Sequence, residues 1–217
     1  MEENQPKDLI EDFKIENVKP DDAHFKVAIV GDCRVGKTSL KEMAANKKFS
    51  MKYKETLAYT ISHLSAKINN FQLSIELWDT SGDEQYKKLF EYYFKKTTIV
   101  ILVYDVANRE SFENLDNWIN IINNYPKVKN VILVGNKSDI KDKRQVSKVE
   151  GENYIISREI IKTFFECSAI NYKSVETIFK ETIKQLYEIY TENEHKKKKD
   201  ENSKGDNTKC CGCFRCC

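Results

Sequence analysis

The stretch FKVAIVGDCRVGKT, residues 25–38, decides the fold that the rest of the chain has to accommodate. An apolar run ends at Gly31, and Gly36-Lys37-Thr38 opens the next segment. The pattern G-x-x-x-x-G-K-T is a P-loop, in which glycines let backbone N–H groups converge on phosphate oxygens at the start of a helix. Its lysine neutralises the β- and γ-phosphates, and its threonine hydroxyl binds Mg²⁺. The stretch therefore predicts a nucleotide phosphate site between a buried strand and a helix.

One short segment is expected to contact the phosphates. Its residues are Arg34, Val35, Gly36, Lys37, Thr38 and Ser39. The guanidinium of Arg34 has two interpretations. It either reaches a phosphate as a built-in arginine finger or points to solvent, which is favoured because a P-loop faces its ligand with backbone amides.

Apolar runs and amphipathic segments alternate after the P-loop. KTSLKEMAANKKF is predicted as a helix, and SHLSAKI and FQLSIELW as strands joined by a hairpin turn at Asn69-Asn70. Two buried strands, TTIVILVYDV and VILVGNKSD, flank the predicted helix SFENLDNWINIINNY. The helix SKVEGENYIISRE, the strand FFECSA and the helix SVETIFKETIKQLYEIY complete the series. This order favours an α/β fold: a mostly parallel six-stranded sheet with one antiparallel edge strand and helices on both faces.

A second polar segment, Asn136-Lys137-Ser138-Asp139, follows the buried run VILVG. Open α/β sheets bind ligands at the carboxyl ends of their strands, so this segment and the P-loop are expected at one edge. The Asp139 carboxylate can accept hydrogen bonds from guanine N1–H and the exocyclic amine. Adenine lacks that donor pair and would leave a buried charge unpaired, at roughly 1–3 kcal/mol or more. The two motifs together predict a guanine nucleotide and disfavour the alternative of a P-loop ATPase or kinase.

The charge balance and hydropathy exclude several classes of function. The chain has 36 basic and 34 acidic residues and a net charge of +2, which gives no general attraction to nucleic acid. It has no apolar run of the roughly 18 residues that a membrane-spanning helix needs. The opening segment MEENQPKDLIEDFK is acidic and lacks the apolar region of a signal peptide, so the protein is expected to start in the cytosol.

Three parts of different composition are predicted. Residues 1–24 carry eight acids and three lysines and are expected to form a largely disordered acidic arm, with a short helix around Leu9 to Phe13 as its candidate element. Residues 25–190 are the folded nucleotide-binding domain. Residues 191–217 are a flexible tail, which begins where the closing helix gives way near Thr191.

The order of four motifs resembles that of the Ras-like small GTPases. They are the P-loop, DTSG at 79–82, NKSD at 136–139 and ECSA at 166–169. LVYDV followed by SFENLDNW, YYFKKT after the DTSG turn and the cysteine-rich end are similar to the Rab branch. The resemblance covers roughly residues 25–190 and the terminal cysteines. It implies the Ras-like P-loop GTPase fold, with GTP and GDP as ligands, Mg²⁺ as cofactor and a monomeric protein.

The resemblance also implies a set of metal and base contacts. Thr38 and Thr56 match the threonines that bind Mg²⁺, and Asp79 is expected to hold the ion through water. The residues that match the family's base contacts are Phe49, Asn136, Lys137, Asp139, Ser168, Ala169 and Ile170. Ile170 replaces the usual lysine of a Ser-Ala-Lys stretch, so packing against the base edge is only partly retained.

One switch segment and the P-loop depart from the family's pattern. Leu57-Ala58-Tyr59-Thr60-Ile61 follows Thr56 where Rab proteins usually have a hydrophobic stretch with glycine, which predicts an unusual choice of effectors. Cys33 and Arg34 replace small residues of the P-loop.

The turn WDTSGDEQ, residues 78–85, contains the two catalytic candidates, Gly82 and Asp83. By resemblance, the Gly82 N–H bonds the γ-phosphate, and Asp83 occupies the position of a glutamine that orients the attacking water. Aspartate is shorter and has no N–H donor, and at about 6 Å with ε near 20 its charge and a phosphate charge repel by roughly 2–3 kcal/mol. Asp83 is therefore expected to turn toward water, which predicts slow intrinsic hydrolysis.

Five of the seven cysteines lie in the last eight residues, where a disulfide framework would have spread them through the fold. Cys216-Cys217 resembles the Rab signal for two geranylgeranyl groups. Cys210, Cys211 and Cys213 are weaker candidates for palmitate. The alternative is a zinc site built from these cysteines, which is disfavoured because adjacent ligands with so short a spacer wrap poorly around a tetrahedral ion.

The sequence thus predicts a Rab-like GTP/GDP switch on the cytoplasmic face of an intracellular membrane, lipid-anchored and cycling with the cytosol. The expected partners are an exchange factor, a GTPase-activating protein, effectors and a chaperone of the GDP-dissociation-inhibitor type, with no nucleic acid. The alternative is a GTP-binding scaffold or pseudo-GTPase with negligible hydrolysis.

Overall fold

A computed structural model describes residues 10–14, 23–52, 54–68 and 71–205 of the chain. Its strands are β1 (Ile10–Lys14), β2 (Ala23–Val30), β3 (Tyr59–Ile68), β4 (Phe71–Thr80), β5 (Thr97–Asp105), β6 (Asn130–Asn136) and β7 (Ile161–Glu166). Its helices are α1 (Lys37–Asn46), α2 (Phe90–Phe94), α3 (Arg109–Glu113), α4 (Leu115–Ile122), α5 (Lys148–Ile156) and α6 (Tyr172–Gly205), with a 3₁₀ helix at Glu84–Leu89.

The strands form a single sheet in the order β1-β3-β4-β2-β5-β6-β7. Five neighbouring strands of this sheet are parallel: β4, β2, β5, β6 and β7. The next strand, β3, is antiparallel to β4. The predicted six-stranded mixed sheet is therefore confirmed. The hairpin turn predicted at Asn69-Asn70 lies outside the described residues, although β3 and β4 pair from Ile68↔Phe71 onward.

The sequence predicts the antiparallel strand at the edge of the sheet, but β3 is not the edge strand. Ile10–Lys14 forms a seventh strand that pairs antiparallel with β3, with Asp12 opposite Lys67 and Lys14 opposite Ser65. The helix predicted around Leu9 to Phe13 is therefore wrong. The segment forms a strand because of a long-range contact: the edge of β3 presents unpaired N–H and C=O groups that this segment can satisfy.

Alternation along the central strands divides the core into two layers. Val27 and Ile29 of β2 pack with α1 and α6, whereas Ala28 and Val30 pack with α2, α3 and α4 on the other face. Helices on both faces are what a parallel sheet needs, because its strands are buried on both sides. This arrangement leaves the carboxyl ends of the strands as the open edge where a ligand can bind.

Three elements differ in extent from the sequence predictions. The predicted helix SFENLDNWINIINNY is two helices, α3 and α4, that meet at Asn114. β7 ends at Glu166, so most of ECSA lies beyond the strand. α6 continues through Thr191 to Gly205. The residues after Thr191 are mostly lysine, glutamate and asparagine, and Lys197 pairs with Glu194 at 2.7 Å, three residues earlier on the same helix face.

Within the part of the chain that the structure describes, no helix combines the length and the apolar character that a membrane crossing requires.

Candidate nucleotide and metal site

A cavity of about 1180 Å³ opens at the carboxyl edge of the sheet, where the segments after β2, β4, β6 and β7 meet. The predicted residues that line it are Arg34, Gly36, Lys37, Thr38, Ser39, Phe49, Thr56, Gly82, Asn136, Lys137, Asp139, Ser168, Ala169 and Ile170. Val35, Asp79 and Asp83 are not among the lining residues. Val35 and Asp79 are fully buried. Segments far apart in sequence therefore converge on one site.

The P-loop wraps around the amino group of Lys37. Its Nζ donates to the carbonyl oxygens of Gly31 at 2.8 Å and Asp32 at 2.6 Å. Burial lowers the pKa of Lys37 to about 8, although the nearby Asp79 carboxylate opposes the shift. Gly36, with a φ of +98°, precedes α1, and a Cβ there would lie 2.3 Å from Nδ2 of Asn136. Only glycine fits this approach, which leaves the α1 N-terminus open toward the cavity.

The side chain of Asp32 does not line the cavity. It accepts hydrogen bonds from Nδ2 of Asn114 and Nε1 of Trp118, both at 2.8 Å. The loop is therefore tied to α3 and α4 on the opposite layer of the fold. The sequence prediction missed this contact, because Trp118 was predicted only as part of the helix SFENLDNWINIINNY. An indole that is mostly buried needs an acceptor for its N–H, and that need was the available signal.

Three hydroxyl groups surround one oxygen of Asp79. Thr38 Oγ1 donates to Oδ2 at 2.8 Å, and Thr56 and Thr60 each lie 3.4 Å from the same oxygen. Thr38 and Thr56 are themselves 2.8 Å apart. Burial raises the pKa of Asp79, while the Thr38 hydroxyl and the charges of Lys41 and Lys37 oppose the shift.

The other oxygen of Asp79 identifies where a cation fits. Oδ1 is buried and has no hydrogen-bond partner among the described residues. A buried carboxylate oxygen without a donor is unfavourable unless water or a cation completes it. Two hydroxyls and a carboxylate are hard oxygen donors of the kind that Mg²⁺ takes, with waters filling its octahedron. The residues present therefore fit Mg²⁺, with the Thr38 and Thr56 hydroxyls and the Asp79 carboxylate as the groups that would hold it.

Asn136 joins three loops of the site. Its Nδ2 donates to the carbonyl of Val35 at 2.9 Å, and its Oδ1 accepts from the backbone N–H of Ala169 at 3.1 Å. Lys137, with a left-handed φ of 64°, forms an ion pair with Asp105 at 2.7 Å. Asn136 thus has a structural function at the ends of β2, β6 and β7, and Val35 contributes its carbonyl to that function.

The base end of the cavity combines exposed and anchored residues. Asp139, Phe49 and Ile170 are exposed and line the cavity. Ser168 is buried, and its backbone carbonyl accepts from the Ser174 hydroxyl at 3.1 Å. The loop that carries Ser168 is therefore anchored on the start of α6. An exposed carboxylate beside an anchored loop is an arrangement that can read the edge of a base.

Gly82 packs directly on the P-loop. A Cβ on Gly82 would lie 2.3 Å from the carbonyl carbon of Asp32 and 2.4 Å from the backbone nitrogen of Cys33. Both atoms belong to the backbone, so no side-chain movement could relieve the clash. The turn after β4 can approach the P-loop this closely only with glycine at position 82.

The carboxylate of Asp83 is engaged within its own turn. Oδ1 accepts the backbone N–H of Gln85 at 2.9 Å, and Oδ2 accepts the Gln85 side-chain amide at 2.8 Å. The Asp83 backbone N–H donates to the Ser81 hydroxyl at 3.2 Å. In this arrangement, Asp83 organises the start of the 3₁₀ helix. The sequence prediction missed Gln85, two residues further on, although an aspartate commonly bonds the backbone N–H at that spacing.

The lipidation candidates Cys216 and Cys217 lie outside the described residues, as do the other cysteines of the proposed zinc alternative. Of the cysteines within the described residues, Cys33 is exposed and Cys167 is buried, and both are free thiols.

Comparison with known proteins defines the class to which this site belongs. A family model described as "Ras family" matches residues 26–188. The chain is 32% identical over 178 residues to the Ras-related protein RABA5a of Arabidopsis thaliana, covering 82% of this chain and 80% of that protein. It is 34% identical over 163 residues to the Ras-related protein Rab-11B of Dictyostelium discoideum, covering 75% of this chain and 73% of that protein. The chain therefore belongs to the Ras superfamily of small GTPases, and within it to the Rab family.

Proposed function

We propose that the chain is a GTP/GDP-dependent switch in vesicle and membrane trafficking. One observation carries this proposal. Thr38 of the P-loop and Thr56, from the segment between α1 and β3, converge on Asp79 beneath the cavity. A γ-phosphate and its Mg²⁺ would hold the Thr56 segment in place, and loss of that phosphate would release it. When bound, Mg²⁺ would neutralise charge on the β- and γ-phosphates.

Each group of residues has a proposed role in nucleotide binding. Lys37 and the P-loop amides bind the phosphates, and Asp139 reads guanine, with Phe49 and Ser168 beside the base. Gly82 offers its N–H to the γ-phosphate. Arg34 is exposed at the cavity wall and has a left-handed φ of 63°, so both of its interpretations, arginine finger and solvent-facing residue, stay open.

Slow intrinsic hydrolysis is part of the proposal. The carboxylate of Asp83 accepts two hydrogen bonds from Gln85, which draws it into its own turn and away from an attacking water. It also lacks an N–H to donate to that water. An activating protein that supplies its own glutamine, as those acting on Rab proteins are expected to do by resemblance, would compensate for this deficiency.

Asp83→Gln should accelerate GTP hydrolysis about tenfold or more, equivalent to about 1.4 kcal/mol of barrier. Glutamine restores the amide that orients water and removes the charge that a phosphate repels. Single-turnover phosphate release from the GTP-loaded protein measures the effect. Gln85→Ala is the matched control, because it removes the side-chain amide that bonds Oδ2 of Asp83 without adding an amide at position 83, and it should give no comparable gain. Equal rates for the natural chain and Asp83→Gln would rule out an impairment by Asp83.

Gly82→Ala should abolish most of the preference for GTP over GDP while leaving GDP bound. The added methyl cannot coexist with the P-loop backbone, so the turn after β4 must retreat from the γ-phosphate end. Competition of GTP and GDP for the loaded protein measures the ratio of affinities. A variant with the natural ratio would contradict the proposed contact between the Gly82 N–H and the γ-phosphate.

The second candidate function is a GTP-binding scaffold with negligible hydrolysis. Asp83 favours it specifically, because aspartate supplies no amide at position 83 and its carboxylate is already bonded to Gln85. The two functions differ in whether hydrolysis is slow but measurable, or is absent while guanine nucleotides still exchange.

The membrane part of the proposal rests on the tail. Two prenyl groups on Cys216 and Cys217 would hold the protein on the cytoplasmic face of an intracellular membrane, because one lipid chain alone gives only marginal, reversible binding. A chaperone of the GDP-dissociation-inhibitor type would return it to the cytosol. The proposed three-part organisation is an acidic arm at 1–24, the GTPase domain at 25–190 and a linking tail at 191–217.

A further inference from the structure

A buried lysine lies beside the metal end of the site. The Lys41 side chain is only 6% exposed, and its Nζ donates to the Thr60 hydroxyl at 2.7 Å. Thr60 in turn donates to Oδ2 of Asp79, 3.4 Å away. One hydroxyl group therefore links an ammonium ion to the carboxylate that is expected to hold Mg²⁺ through water.

The charge of Lys41 is only partly neutralised by its surroundings. It forms an ion pair with Glu42 at 3.2 Å, and the Glu42 side chain is 40% exposed, so hydration weakens the pair. Lys41 reaches the Asp79 carboxylate through one hydroxyl group, whereas the amino group of Lys37 donates to the carbonyl oxygens of Gly31 and Asp32. The buried carboxylate thus has a permanent cationic neighbour in addition to the P-loop lysine.

We propose that Lys41 is a built-in cation of the metal site, which weakens Mg²⁺ binding and makes nucleotide retention less dependent on Mg²⁺. This inference rests on the proposed guanine-nucleotide function. The ammonium stabilises the Asp79 anion before any ion arrives, and it repels a divalent cation once one is present. Both effects act in the same direction, because each lowers the free energy gained when Mg²⁺ binds.

Lys41 occupies a place from which it can act without touching the nucleotide. It lies one turn after Thr38 on α1, so both side chains lie on the same face of the helix. It does not line the cavity. Lys41 is therefore a positioning residue that acts through Thr60 and Asp79, and its effect should appear in metal dependence ahead of any change in base recognition.

The test follows the dissociation of a fluorescent GDP analogue from the full-length chain as free Mg²⁺ is lowered. Lys41→Met removes the charge and keeps an unbranched apolar stem of similar length. We expect the Mg²⁺ concentration at half-maximal release to fall about tenfold, the equivalent of about 1.4 kcal/mol. Complete removal of Mg²⁺ should then accelerate release more in Lys41→Met than in the natural chain. Lys41→Arg keeps the charge and should stay close to the natural midpoint.

A second variant keeps the proposal testable if Lys41→Met does not fold. Glu42→Gln removes the carboxylate that partly offsets Lys41, so the midpoint should move the opposite way, to a Mg²⁺ concentration about two- to threefold higher. If the Mg²⁺ concentration at half-maximal release were unchanged in Lys41→Met, the proposal would be overturned. If only Glu42→Gln folds, an unchanged Mg²⁺ midpoint in that variant would overturn it. Failure of the natural chain to retain the GDP analogue at saturating Mg²⁺ would instead contradict the proposed nucleotide function, so the two failures are distinguishable.

Discussion

Asp139→Asn is expected to weaken GTP binding by about ten- to a hundredfold, because a base-reading carboxylate loses its charge and one of its acceptors. The amide that replaces it has a donor, which suits the extra carbonyl of xanthine. Xanthosine triphosphate should therefore bind the variant better than GTP does. Competition between the two nucleotides for the purified protein measures the reversal directly.

The chain provides a matched control for this change. Asp142→Asn makes the same chemical substitution three residues later, at an exposed position that does not line the cavity. It should leave the preference for GTP unchanged. If Asp139→Asn still preferred GTP, the assignment of Asp139 as the residue that reads the base would be wrong, even though the family membership of the chain would stand.

Replacing both Cys216 and Cys217 with serine is expected to move the protein from membranes to the cytosol without a change in GTP affinity. The physical reason is that stable anchoring takes two lipid signals, and the tail has too little positive charge to bind an anionic surface alone. Seven basic residues in the tail are offset by five acidic ones. Fractionation of cells that express each version measures the change.

Substitution of the three other tail cysteines distinguishes prenylation from palmitoylation and from a zinc site. Serine at Cys210, Cys211 and Cys213 should leave two prenyl adducts detectable by mass spectrometry of the intact protein, and should leave membrane attachment largely in place. A natural chain recovered without lipid, or a Cys216/Cys217 double variant that remains on membranes, would contradict the assignment and favour the zinc or palmitate interpretations.

The sequence predicted the central sheet because its strands carry the signals that decide it. FKVAIVG and VILVGN are apolar without alternation, as strands buried on both faces must be, and the helices between them require parallel pairing. β1 could not be predicted in the same way. Ile10–Lys14 lies in an acidic arm with no apolar periodicity, and its strand conformation depends on the free edge of β3, which exists only once the sheet has formed.

The candidate site was predictable where a motif fixes both the residue and its neighbours. Lys37, Thr38 and Asn136 follow strand ends in recognisable segments, and the structure brings them to one cavity. Lys41 and Thr60 were not foreseen, because neither belongs to a motif. Their pairing depends on how β3 lies against α1, a long-range contact, although the spacing of Lys41 from Thr38 on one helix face was a usable hint.

The end of α6 shows the opposite failure, in which local propensity was underestimated. The charged run after Thr191 was predicted to be flexible because it has no apolar face to bury. Lysine and glutamate are good helix formers, and a helix already nucleated by the packing of Val175 and Ile178 can extend through them without a core contact.

The most direct test of the central claim is a single-turnover measurement on the full-length chain loaded with GTP, in which phosphate release and nucleotide dissociation are followed in the same sample. We predict tight retention of guanine nucleotide at saturating Mg²⁺, with phosphate release that is slow but measurable. A chain that retained ATP as well as GTP, or that retained neither, would contradict the proposal of a guanine-nucleotide switch.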